Sequence, residues 1–208
     1  MEQERDDLDL FTNYENEGRF KILIGVATEF STKTIHCING IDIVYGSDTT
    51  VYNAHSKPVA DNYNEIVEYA IKNNYDFLIT VEDDTYPPKD AFTKLVKLAL
   101  DNPKTVVAGW YTMKEPSRQG VHIELRGGIK RPVEADGKLH DACMVAMGCT
   151  IFPVEMFKKI DRPWFKTLKD YYTQDVYFSR VAKEAGYHLL VDTSIVCKHL
   201  DIKTATVY

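Results

Sequence analysis

The 4 cysteines, Cys37, Cys143, Cys149 and Cys197, form no C-x-x-C pair. That spacing excludes the common zinc motifs, and a chain of 208 residues needs no disulfide framework to hold a core. The thiols read as buried and reduced, as in a cytosolic-type protein. No apolar run approaches the ~20 residues that cross a bilayer as a helix. Residues 1–18 lack the basic start and apolar stretch of a signal peptide and form an acidic tail instead, with Glu2, Glu4, Asp6, Asp7 and Asp9. Lacking leader and span alike, the chain is expected in the cytoplasm. Positive charge is also short: 25 Lys and Arg against 31 Asp and Glu leave a net charge of −6. A nucleic-acid binder gains affinity by neutralising phosphates with basic side chains, so that class is excluded. A nucleotide is still admissible, because one divalent cation can bridge a diphosphate to protein carboxylates. Internal repeats and low-complexity stretches are absent.

What is present is an ordinary globular composition, 44% hydrophobic and 27% charged. Residues 20–27 are a short, continuous apolar run, the pattern of a strand buried on both faces of a parallel sheet. A small helix is expected over 31–38 and a second strand over 41–45, ended by Gly46-Ser47-Asp48. Helical spacing of Val59, Tyr63, Ile66, Val67 and Ala70 predicts a helix over 59–73. A buried strand follows at 76–81, then a helix opened by Pro87-Pro88 and running to about Leu100. A fourth strand covers 105–108. Beyond about residue 112, Gly127-Gly128 and Asp136-Gly137 are turn dipeptides between short strand-like pieces. Further elements are a strand at 150–152, a short helix at 154–159, a helix at 173–185 capped by Gly186, and strand pieces at 188–191 and 194–197. The alternation implies an α/β domain over 19–208 with a mostly parallel sheet, a first half to about 112 and an antiparallel portion after it.

Three stretches carry chemistry. Glu82-Asp83-Asp84 directly follows a buried strand, so these residues sit at the C-terminal sheet edge where α/β folds bind ligands. Adjacent like charges raise one another's pKa unless a cation lies among them, and oxygen ligands suit Mg²⁺ or Mn²⁺. A solvated acidic turn is the competing reading. Asp175 stands in the first turn of a helix, where the helix dipole alone would favour a carboxylate. His199, near the end of the sequence, is a neutral ligand available to a metal held by carboxylates.

Taken in order, these stretches resemble the GT-A glycosyltransferases, family 2-like, of bacteria and viruses. Glu82-Asp83-Asp84 with Pro87-Pro88 is similar to the D-x-D motif of that group. Residues 147–152 resemble its glycine-centred strand, and Pro163-Trp164-Phe165 its Pro-Trp-Phe element. Gln174-Asp175 with Phe178, Ala185-Gly186-Tyr187 and His199 complete the pattern, which spans residues 20 to 201. One departure is Gln174, where the family usually has glutamate.

The resemblance implies a GT-A fold, a nucleotide-sugar donor (foremost a UDP-sugar), a glycan or glycoconjugate acceptor, and bound Mn²⁺ or Mg²⁺. Asp84 and His199 would ligate the metal, with Glu82 assisting directly or through water. Asp175 would be the general base of an inverting transfer; a retaining enzyme would give it another role. Asp83, Thr28, Glu29, Asp48, Asn62 and Lys198 would contact the donor, and Trp110, Gly148 and Cys149 the sugar or acceptor. Viral members put a viral protein in the host cytoplasm within this expectation. A sugar-nucleotide pyrophosphorylase would need a glycine-rich basic loop after the first strand, and residues 27–33 contain no glycine. A catalytically silent glycan- or nucleotide-binding module and a metal-dependent hydrolase are the other readings. Loss of the acidic motif or of Asp175 would have favoured the silent module, and both are present.

Overall fold

Side chains of the first strand, β1 (Lys21–Thr28), alternate between two cores. Leu23 and Ala27 join one, while Ile22, Ile24 and Val26 join the other. Both faces of the strand are therefore covered, which is why its sequence is continuously apolar. The computed structural model describes residues 20–28, 47–115, 117–168, 172–201 and 203–208. The acidic tail, the helix expected at 31–38, the strand expected at 41–45, Glu29 and Cys37 lie outside the described residues.

Strand β2 (Asp48–His55) pairs parallel with β1, and helix α1 (Val59–Lys72) follows it. Next come β3 (Phe77–Glu82), the two-residue β4 (Thr85–Tyr86), α2 (Ala91–Asp101) and β5 (Thr105–Trp110). The hairpin β6 (Ile123–Arg126) and β7 (Ile129–Pro132) turns on Gly127 and Gly128, whose φ values of +60° and +81° suit a tight hairpin turn. Then follow β8 (Leu139–Asp141), β9 (Cys149–Pro153), a 3-10 turn (Val154–Lys158) and α3 (Gln174–Glu184). The last strands are β10 (His188–Val196), β11 (Lys198–Asp201) and β12 (Thr206–Val207).

Seven strands form one sheet in the order β2-β1-β3-β9-β5-β10-β8. Strands β2, β1 and β3 are mutually parallel, β9 runs antiparallel between β3 and β5, β10 is parallel to β5, and β8 is antiparallel at the edge. Helices α1 and α3 pack one face around Tyr63, Ile66, Phe152, Phe165 and Phe178, and α2 packs the other around Phe92, Leu95 and Val96. Each such buried aromatic or aliphatic side chain contributes roughly 1.5–3 kcal/mol. Helix α1 lies close because Gly25 has no side chain: a Cβ there would stand 2.4 Å from Ile66 Cγ2. The fold is the mixed, mostly parallel α/β architecture that the sequence predicts, with small antiparallel sheets beside it.

Local differences have physical causes. Strand β2 was hidden because it is the sheet's half-exposed edge and carries a polar sequence. Pro87-Pro88 stand ahead of α2 rather than in its first turn, because Thr85–Tyr86 first pairs with β11. The pieces at 188–191 and 194–197 are one strand with a register shift between Asp192 and Val196. Of the described cysteines, Cys143, Cys149 and Cys197 are all free thiols.

Candidate functional site

The parallel strands end at one edge, and β1 lies between β2 and β3. Both neighbours run parallel to β1, so the C-terminal ends of the three strands meet at the edge where α/β sheets bind ligands. A cleft of about 410 Å³ occupies that place, lined by Thr28, Lys57, Val59, Asn62, Asp83 and Asp84 among others. The Thr28 hydroxyl donates to Asp83 Oδ2 at 2.6 Å, fixing that carboxylate on the cleft wall. Asn62 is buried, and its amide nitrogen donates to the Lys57 carbonyl at 3.1 Å and reaches the Thr28 carbonyl at 3.5 Å. Its Oδ1 is buried with no hydrogen-bond partner among the described residues. An orphaned acceptor in a cleft wall is costly unless water or a ligand donor meets it.

Beside the cleft, β11 pairs with β4 so that His199 stands opposite Thr85, and Leu200 N–H donates to the Asp84 carbonyl at 2.8 Å. His199 Nδ1 is 2.6 Å from the Thr112 carbonyl. A carbonyl only accepts, so Nδ1 carries the proton, and in the neutral imidazole Nε2 presents a lone pair. That lone pair faces Asp84 Oδ1 at 3.5 Å. Two acceptors aimed at each other need a proton or a cation between them. The Lys114 ammonium holds Asp84 Oδ2. Burial works to raise the Asp84 pKa, but a hydrogen bond from His199, made when a proton lies between Nε2 and Oδ1, and the Lys114 ammonium outweigh it and hold the carboxyl below the usual aspartate range.

Among the described residues, no three His, Cys, Asp or Glu side chains converge into a metal cage. The Asp84–His199 pair nonetheless fits a Mg²⁺- or Mn²⁺-type ion, which takes one or two protein ligands and completes its shell with substrate phosphates and water.

Deeper in the edge, Glu82 is capped by two phenols: Tyr63 donates to Oε1 at 3.1 Å and Tyr111 to Oε2 at 3.5 Å. Burial first, then the charges of Asp84 and Asp175, push Glu82 up to about 7. Burial and the Glu82 charge likewise lift both tyrosines well above 10, so the phenols remain donors. Tyr111 also accepts the Gly148 N–H at 2.9 Å and meets the His199 ring edge-on at 5.1 Å. Asp175, at the start of α3, accepts on Oδ1 from the Thr173 hydroxyl and from the Val176 N–H at 2.9 Å. Its charge is felt by Glu82, Tyr63 and Tyr111, which sets it on the same edge.

Thr28, Asn62, Glu82, Asp83, Asp84, Asp175 and His199 therefore gather at this edge. Asp48, Lys198 and Cys149 lie elsewhere. Asp48 begins β2, paired with Lys21 at the opposite end of the sheet from Thr28. At ~3.3 Å per residue it is roughly 20 Å from the cleft. Lys198 precedes His199 on β11, so its exposed side chain takes the other face, beside Tyr86, Pro87 and Leu200. Cys149 is fully buried in the core, its thiol against Cys197, and cannot touch a ligand there. Trp110 donates its indole N–H to the Val133 carbonyl at 2.7 Å and pins the segment after β7. The space over Gly148 is filled by the Tyr111 hydroxyl and Thr85, 2.5 and 2.7 Å from where a Cβ would be.

Sequence reasoning missed Lys114, Tyr63 and Tyr111. Tyr63 was legible only as a core position of α1, since helical spacing says nothing about where a hydroxyl reaches. For Lys114 the available signal was a cation in the loop after β5, which ends at the same sheet edge as Glu82.

No protein-family model matches this sequence, and no curated protein matches it. Solved structures do. A197 from STIV superposes with a TM-score of 0.66 at 18% identity, covering 90% of this chain and 93% of that one. GalNAc-T7, solved with UDP, GalNAc and Mn²⁺, superposes with a TM-score of 0.61 at 9% identity, covering 89% of this chain but 45% of the larger protein. At such identities the likeness concerns the fold, and the fold is the GT-A type of the glycosyltransferases.

Proposed function

We propose that this chain transfers a sugar from a nucleoside diphosphate sugar, foremost a UDP-sugar, to a hydroxyl acceptor on a glycan or glycoconjugate. The observation that carries the reading is the Asp84–His199 acceptor pair beside a cleft at the β1/β3 crevice. A divalent cation there would supply Lewis-acid stabilisation of the diphosphate leaving group. Asp84 Oδ1 and His199 Nε2 would be the protein ligands, and the Thr112 carbonyl fixes the imidazole for that role. Glu82, capped by two tyrosine hydroxyls and carrying a raised pKa, supports the edge more than it ligates. Asp83, braced by Thr28, faces the ribose or sugar hydroxyls as an acceptor. Asn62 Oδ1 accepts from a donor group of the nucleoside. Asp175 takes the acceptor proton, attack comes from the face opposite the leaving group, and the anomeric carbon inverts.

Calorimetric titration of UDP, UDP-sugars and GDP-sugars with and without Mn²⁺ tests this. Binding should require the metal, be lost in Asp84→Ala and survive in Asp48→Ala, whose side chain is at the far end of the sheet. Absence of nucleotide binding under every condition would sink the reading and favour a silent binding module or a hydrolase.

A further inference from the structure

The loop that follows β5 does two things to one carboxylate. Thr112 orients His199 toward Asp84 Oδ1, and two residues later the Lys114 ammonium holds Asp84 Oδ2. The segment is itself fixed: Thr112 bridges to Gly120, and Met113 N–H donates to the Gln119 carbonyl at 2.8 Å. Lys114 and Asp84 have side-chain exposures of 29% and 21%, so solvent screens their pairing only in part. Asp201 also lies within electrostatic reach of the ammonium.

A divalent cation arriving at Asp84 and His199 would meet Lys114 already on the same carboxylate. Like charges a few ångströms apart in this half-buried setting repel strongly. A nucleoside diphosphate changes the balance, because its phosphate oxygens can accept the ammonium while bridging the metal.

We propose that Lys114 is a resident counter-cation that makes metal and nucleotide binding interdependent. Without nucleotide it neutralises Asp84 and keeps the divalent ion off. With nucleotide it turns from Asp84 to the diphosphate, releasing the carboxylate to the metal and adding a positive charge to the leaving group. The inference rests on the glycosyltransferase reading and assigns a binding residue to that same site.

Titrations of MnCl₂ alone and of UDP with saturating Mn²⁺, on the native chain, Lys114→Gln and Lys114→Arg, test it. Mn²⁺ binding is read by electron paramagnetic resonance of the free ion, and folding by thermal melting. Lys114→Gln should bind Mn²⁺ alone about tenfold tighter or better, and UDP with Mn²⁺ about tenfold weaker. Lys114→Arg should stay close to native on both counts, since it keeps the charge. If Lys114→Gln binds Mn²⁺ alone no tighter than the native chain, or binds UDP with Mn²⁺ equally well, the proposal is overturned. Failure of the native chain to bind UDP with Mn²⁺ at all would instead strike the reading beneath it.

Discussion

Replacing Gly148 by alanine should damage stability and the site together. The new methyl would stand 2.5 Å from the Tyr111 hydroxyl, 2.6 Å from its Cζ and 2.7 Å from Thr85 Oγ1. A long flexible side chain could yield cheaply, but Tyr111 is 2% exposed and its ring lies between those of His122 and His199 at 5.3 and 5.1 Å. Thr85 is held in β4 by its pairing with β11. Overpacking of this kind costs about 1–3 kcal/mol. Displacing the tyrosine also breaks the Gly148 N–H bond to its hydroxyl, another ~1 kcal/mol. For a chain of this size, each kcal/mol lowers the melting temperature by about 2–4 °C, so the expected loss is about 4–16 °C. Tyr111 and Thr85 abut Glu82 and His199, so Mn²⁺-dependent UDP binding should weaken in the same variant. Differential scanning calorimetry and a UDP titration measure the two effects. A Gly148→Ala protein that melts within about 1 °C of the parent would show that the β9 edge yields freely, and the packing argument would fall with it.

Asn64→Ala should lose about 2–4 kcal/mol, read by urea unfolding, because its carbonyl accepts from Trp164 and Phe165 N–H at 3.1 Å each while its amide donates to the Phe165 carbonyl at 2.8 Å. Burial lowers the His122 pKa to about 4, and its neutral ring bridges the Gly109 carbonyl and the Ala146 N–H. A histidine depressed in the folded state contributes stability present above its unfolded pKa and lost as pH falls. Between about pH 6.5 and 4, His122 should therefore remove up to ~1.4 kcal/mol per pH unit. Melting curves across that range should be flatter by this increment in His122→Gln than in the native chain, and parallel curves would refute the assignment.

The sequence was most legible where burial was complete. The residues of β1, β3 and β5 have both faces covered, so their apolar runs admitted one reading, and the three acidic residues at the end of β3 fell at the sheet edge by necessity. Edge and exposed elements were less legible: β2 carries a polar, half-exposed pattern and, among the described strands, pairs on one side only. Asp48 was misplaced for that reason, since an unseen strand begins where a turn was expected. Within the site, Asp84 and His199 could be paired through a resemblance, but Lys114 could not. Its meeting with Asp84 depends on how the 112–120 segment folds back, and no spacing in the sequence encodes that return. Cys149 shows the opposite case, a residue type that suits a site but serves packing instead.

The four carboxylates on this edge differ in how their charge is met, and the difference selects one of them for exchangeable chemistry. Glu82 is shielded by two phenols that stay protonated, and its own pKa moves up to about 7, so much of its charge is removed rather than balanced. Asp83 is met by a neutral hydroxyl, which orients it without cancelling it. Asp175 is satisfied on one oxygen by the helix start that carries it. Only Asp84, among these four, is balanced by a side-chain ammonium, and it also faces an imidazole nitrogen. An imidazole locked by a backbone carbonyl keeps its place, whereas an ammonium on a flexible stem can move. An incoming cation can therefore displace charge at Asp84 without rebuilding the edge around it. The same exchange at Glu82 would expose a buried carboxylate and free two buried hydroxyls, at a cost of several kcal/mol. On the proposed reading, that asymmetry would put a divalent ion at the rim of the cleft, where a diphosphate could reach it, and would leave Glu82 as the buried support beneath.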